Sequence, residues 1–593
     1  MATTSAQVQQ LYVAYLGRAA DKAGLDYWMA ELNASPAVLT LENLRSNFVN
    51  EQPEYADAYA GLTRSETVSK IYLQLFGRSA DAAGLEYWTN GAGASVNADQ
   101  LLTAFVSGAS AADAKVIANK VLVAEVYTST AGANYTQADA ASIISEVDGT
   151  AASVTTALGH LSDGSLSGIA IPEGVAILKA DAVADAAVVS YEASKVASLV
   201  ALNDKIVALN SDGHTAVLLS VKDGGDVNTT VDYAEAANAI ANATLLRDNI
   251  SLTSTAQLEL DSKVAADAVA VERADLVQNS PTAVADINAY NAAVAANNAL
   301  TAPAPAKIDT DTAALQGVID TNATAFADAN TAYVAAGGTA IVDADGLFAA
   351  ISAANAATLA KIDTAFNTGV FAQTYANVKA DGVAQAAKDA AEDKLAAAEV
   401  KVGGDYVSAA EDSAAATKLV ADAKAADALV AEAKAETTAH DAVMDVAGDA
   451  QDAVNALGYA VDVTATAAPI AGDNTKADLF HFTNTTHVND FALSNFNKGD
   501  AIYVGEGYTL ATGVTTAAGV EGFYNGTNTA IKEVFFTQNA TTGVVSAVIE
   551  GNAVGHTAGT GVTDNVTVIT LTGITSLSDV SFANGVIVSS HVA

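Results

Sequence analysis

A chain of 593 residues, 51% hydrophobic and 16% charged, is too long for one ordinary core and too apolar for global disorder, so two to four domains are expected. Its 27 basic and 68 acidic residues leave a net charge of −41, a field that repels phosphate backbones and anionic membrane surfaces and argues against nucleic-acid binding. Cysteine is absent, which removes thiol catalysis, Cys-ligated zinc, iron–sulfur clusters and disulfides together.

The opening MATTSAQVQQLYV has no basic n-region, apolar h-region or cleavage site, so any export is expected to use a route that does not read the N-terminus. A repeat with a period of 60 residues follows. VQQLYVAYLGRAADKAGLDYW (8–28) recurs as VSKIYLQLFGRSADAAGLEYW (68–88). Gly17, Arg18, Asp21, Gly24, Tyr27 and Trp28 match Gly77, Arg78, Asp81, Gly84, Tyr87 and Trp88. Val8, Leu11, Tyr12, Tyr15 and Leu16 share one helix face at 3.6 periodicity. Gly17 is placed to stop that helix and Asp21 to cap the next. Tyr27 and Trp28 are expected to seal the helical unit as core aromatics, a ligand cage being the alternative.

The pattern G-R-x-A-D-x-x-G-L-x-Y-W resembles the domain of unknown function numbered 4214, found in bacterial S-layer and type I-secreted adhesin-like proteins. The resemblance spans roughly residues 1–160 and implies a helical module without known catalytic residues. In S-layer relatives with a similar front end, the helical N-terminus anchors to lipopolysaccharide, and the resemblance extends that expectation here.

Residues 161–463 are Ala/Asp/Val-rich and expected to form a helical bundle or stalk, with several helices of about 30–45 residues. Leu419, Ala423, Ala426, Val430 and Ala433 mark a narrow packing seam. Breaks are expected at Ser211-Asp212-Gly213, Asp223-Gly224-Gly225, Pro303-Ala304-Pro305, Gly337-Gly338 and Gly403-Gly404. The uncharged stretch 287–306 holds several Asn and two Pro, so no membrane span is expected there.

Residues 464–593 turn to Thr, Val, Gly, Phe and Asn, with strand-like runs such as DLFHFTN, AIYVGEGYTL and NVTVITLTG between Gly/Asn turns. The fold class is therefore multidomain: all-α N-terminus, Ala-rich helical middle and all-β C-terminal domain. Asp478, Phe480, Phe482, Asp490, Phe491, Gly499, Asp500 and Ile502 resemble the D-x-F-x-F and D-F…G-D-x-I elements that end many type I-secreted calcium-repeat proteins. That resemblance implies an uncleaved C-terminal export signal and an extracellular or cell-surface location.

None of the seven His sits in a zinc or triad spacing, and no nucleophile elbow or phosphate loop occurs, so no enzyme is expected. Calcium is the expected cofactor, with Asp490 and Asp500 the preferred hard-oxygen ligands beside flexible Gly and Asn. Asp223-Gly224-Gly225-Asp226 is an isolated echo of the calcium repeats. The expected role is a self-assembling subunit of an S-layer, filament or matrix, acting as a homo-oligomer; an adhesin binding sugars or partner cells is the alternative.

Overall fold

The computed structural model describes residues 3–36, 38–222, 230–457, 460–463, 468–482, 490–511, 530–551, 553 and 566–592. Helices run down to Ala456 and strands follow, as the composition shift predicts. The segment from Asp223 to Asp226 lies outside the described residues.

Two compact units divide the chain: Met1–Asn249 with Ala426–Ala593, and Ile250–Ala425. The boundaries expected at 160 and 463 do not delimit these units. The reason lies in what each apolar face meets. Within the first unit, the core around helix Ala111–Ala131 takes in Ala176, Ala180 and Ala184 from helix Val175–Asn210. It also takes in Val446 and Ala450 near the end of helix Gly404–Ala456. Val175 and Leu178, one face of the same long helix, pack instead on Leu479, Ala501, Tyr503 and Val586 from the strands.

The strands are β1 (Ala460–Asp462), β2 (Ile470–Ala471), β3 (Leu479–His481), β4 (Phe491–Ser494), β5 (Ala501–Tyr503) and β6 (Tyr508–Leu510). They continue as β7 (Lys532–Gln538), β8 (Val545–Glu550), β9 (Val566–Thr572), β10 (Val580–Ala583) and β11 (Val586–Ser589). One sheet is ordered β1-β3-β5-β11-β10 and the other β2-β4-β9-β8-β7-β6. The strands β1 to β6 therefore alternate between sheets, and β1, β3 and β5 stack in parallel, as do β2 and β4. This is the winding of a two-layer coil, closed by antiparallel hairpins from β7 onward. Phe480, Phe482, Phe491, Ile502 and Ile587 fill the space between the layers.

In the second unit, helices Ala344–Ser352, Ala356–Phe366 and Ala372–Val402 enclose Phe326, Phe366, Phe371 and Tyr375. Gly382 lets helix Ala372–Val402 pass close to Ile351: a Cβ there would lie 2.6 Å from Ile351 Cγ2. Most expected breaks are present. Helix Val175–Asn210 ends at the 211–213 turn, Pro305 opens helix Pro305–Thr321, and Gly403 (φ 82°) separates two helices. Ala423, Ala426 and Ala433 of the seam are buried.

Candidate functional site

The two repeat copies are built alike. Each first helix ends on a left-handed glycine, Gly17 (φ 67°) and Gly77 (φ 66°), a conformation that excludes a Cβ at little cost only for glycine. The copies differ just before it: Tyr12–Leu16 is wound as a π-helix, whereas Arg64–Phe76 remains α-helical to its end. Arg18 then turns back over the Tyr12 ring at 5.1 Å and pairs with Glu54 at 2.6 Å. Arg78 lies over Tyr72 at 5.6 Å and pairs with Asp113 at 2.7 Å. Each arginine thus ties its own helix to a later one, and its planar fork suits a two-point carboxylate grip.

Asp21 and Asp81 cap the second helices by accepting the amides of Gly24 and Gly84 at 2.7 and 2.6 Å. Gly24 is also a close-approach position, since a Cβ would come within 2.9 Å of Tyr12 Oη and of Asp21 Oδ2. Trp28 Nε1 donates to Tyr12 Oη at 3.2 Å, and Trp88 meets Phe105 edge-on at 4.9 Å. Both tryptophans are half-buried against the core.

Tyr27 and Tyr87 correct the sequence expectation. They are 56% and 48% exposed, each standing edge-on to its own tryptophan at 4.9 Å. Consecutive helix residues point about 100° apart, so only one ring of each pair can face the core.

In the β region the sequence-predicted aspartates part company. Asp500 precedes β5 and is buried; its Oδ1 accepts the Asp478 amide at 2.8 Å and its Oδ2 the Asn497 amide at 2.6 Å. Asp478 precedes β3, one coil earlier, and its Oδ2 accepts the Asp473 amide. Asn495 Nδ2 donates to Gly472 O at 3.1 Å and Asn497 Nδ2 to Asn474 Oδ1 at 2.8 Å, so the turns of successive coils are laced together. Burial raises the Asp500 pKa, against the lowering effect of the amides it accepts. Asp490 belongs to the other sheet, where its Oδ1 accepts the Val568 amide at 2.8 Å. Asp490 and Asp500 therefore clamp backbone in separate sheets and do not converge. No group of three or more His, Asp and Glu side chains arranged to hold a metal ion occurs among the described residues.

One grouping escaped the sequence reading although three of its members lie within six residues, because their spacing matches no catalytic or metal motif and Glu146 joins them from an earlier turn. His160 Nε2 meets Glu146 at 3.1 Å, while Nδ1 faces both Asp163 and Ser165 Oγ at 3.0 Å. The Asp163 hydrogen bond, with help from Glu146, raises the His160 pKa. In its protonated form the ring donates to both carboxylates and cannot accept a proton from Ser165, and the group is then an ion-paired clasp.

No family model, curated protein or solved structure matches the chain. No single helix among the described residues is long and apolar enough to cross a membrane.

Proposed function

We propose that the chain is a secreted, self-assembling structural protein of the bacterial cell surface or extracellular matrix, an S-layer or filament subunit. The observation that carries this reading is the edge of the two-layer β region: among the described residues, its outer strand β10 pairs with β11 alone. An outer strand of that kind is a template for pairing with a second copy. The resemblances of the front and tail to surface-protein and type I-export elements support the same reading, including export through the C-terminal region and anchoring of the helical front to lipopolysaccharide. Calcium enters as a bridge between carboxylates of neighbouring subunits rather than through Asp490 and Asp500 as a pair. Electron microscopy of purified protein with and without calcium tests the proposal: ordered sheets or filaments support it, and a monodisperse monomer under every condition overturns it.

The exposed rings of Tyr27 and Tyr87 favour a second reading, an adhesin. Amphipathic aromatics at matching positions of two repeats are suited to recognition surfaces. Loss of glycan or cell binding in Tyr27→Ala/Tyr87→Ala, with assembly intact, would select it.

A further inference from the structure

Alanine-rich helices can approach closely, but they leave nothing large to fill the space where shorter helices meet them. Within the first unit, a cleft of about 810 Å³ opens between helix Ser5–Leu11, the buried helix Ala111–Ala131, and the long helices Val175–Asn210 and Gly404–Ala456. Its wall is largely apolar, with Ile117, Val121, Val183, Val443 and Val446 along it. The volume falls within the roughly 300–1,000 Å³ of small-molecule sites.

Among the described residues, three titratable side chains line the cleft: Glu125, Tyr191 and Lys195. Two are already engaged, since Tyr191 Oη and Lys195 Nζ both donate to Glu436 at 2.7 Å. Glu125 differs. Its carboxyl interacts with the Ser5 side chain, but its Oε1 is buried and receives no hydrogen bond from the described residues, and burial, against the lowering effects of Ser5 and Lys22, holds the carboxyl up at about 7. Among the described residues the cleft thus pairs a long apolar wall with one under-satisfied acid, and its one lining cation, Lys195, is already paired with Glu436. The net charge of −41 disfavours an anionic guest further.

We propose that this cleft binds a long-chain amphiphile whose head donates hydrogen bonds and carries no negative charge, a primary amine or alcohol, with the chain on the valine-lined wall and the head at Glu125. A carboxylate head would place like charge beside Glu125 in a desolvated site, which is costly.

Dodecylamine, dodecanol and dodecanoate, each below its micelle concentration, are titrated into the full chain by calorimetry and by displacement of Nile red. Amine and alcohol should bind, and dodecanoate at least about tenfold more weakly. Glu125→Gln should weaken the amine about tenfold while leaving the alcohol within about threefold, because the amide keeps an acceptor. Ala118→Phe and, on the opposite wall, Ala187→Phe should each abolish binding of both; the two variants guard against a folding failure in one, and melting curves identify which remain native. Dodecanoate binding as tightly as dodecylamine, no binding by any probe, or binding indifferent to all the folded variants would overturn the proposal.

Discussion

Gly24 and Gly84 hold the same place in the repeated motif, yet the space above them differs. A Cβ at Gly84 would meet Asp81 Oδ1 at 3.3 Å and Tyr72 Oη at 3.7 Å, against 2.9 Å contacts at Gly24. Gly24→Ala should therefore cost about 1–3 kcal/mol, as overpacking does, and Gly84→Ala well under half of that, measured by chemical denaturation. Equal costs would mean the Tyr12 ring is not fixed by Trp28. Glu125 supplies a pH-dependent counterpart. Burial lifts its pKa from 4.5 to about 7, so the folded state favours the protonated form. The resulting stability is complete below about 4.5 and is lost as pH rises through about 7, a difference on the order of 3 kcal/mol. Glu125→Gln should flatten that window and raise the melting temperature near pH 8; an unchanged slope would place the titration elsewhere. At this scale the sequence is a good guide to caps and stops, because Gly17, Asp21 and their repeats act on their own turn. It misleads on Tyr27 and Tyr87, where chemistry says core and helix geometry leaves room for one ring. Asp500 was legible as special, but its partner Asp478 is set by coil stacking, which spacing from Asp490 does not reveal.

Among the elements, helices and strands follow their composition, and the expected break residues that are described do fall between helices, but the breaks after Ile250, Asn279, Thr321, Ser352 and Phe366 coincide with none of them. Helix length does not follow composition: Gly404–Ala456 runs 53 residues, since nothing between Gly404 and Ala456 forces a turn and the one glycine in its interior, Gly448, is tolerated inside a helix. The coil repeat of the β region was hidden for a different reason. Coils advance 22 residues from Asp478 to Asp500 and 23 from Asn474 to Asn497, and only turn residues recur, while the strand positions need just apolar side chains. The crossing of helix Ala372–Val402 over Ala344–Ser352 rests on one missing methyl. Gly382→Ala should destabilise the second unit by about 1–3 kcal/mol, despite alanine's better helix propensity. In the Gly382→Ala/Ile351→Ala double variant, calorimetry should show a coupling of about 1 kcal/mol or more in the favourable direction. Additive costs would show that the two residues do not meet.

For the whole molecule, the placement of the tail matters more than its fold class. Lys179, fully buried, pairs with Glu506 of the β region at 2.6 Å. Glu506→Gln leaves an uncompensated cation, and because Glu506 is partly exposed the cost should fall toward the lower end of about 3–5 kcal/mol. Lys179→Met added to it should recover most of the loss in a melting experiment; failure to recover would mean the pair is not the source. The same contact refines how export is tested. Removing everything from Thr464 onward would also uncover Val175 and Leu178, so an export experiment should graft the tail onto a passenger rather than only delete it. Assembly poses the larger electrostatic problem. Identical subunits carrying −41 meet like charge at every homotypic contact, at an energy that grows as water leaves the interface. Monovalent salt screens such charge over a Debye length of about 8 Å near 0.15 M but joins nothing. A divalent cation can accept carboxylates from two subunits at once. Assemblies should therefore form in millimolar calcium, dissolve on chelation, and re-form poorly in sodium chloride of equal ionic strength, followed by sedimentation and electron microscopy. If they persist through chelation and re-form in sodium chloride alone, pairing through β10 and apolar contact outweighs the charge.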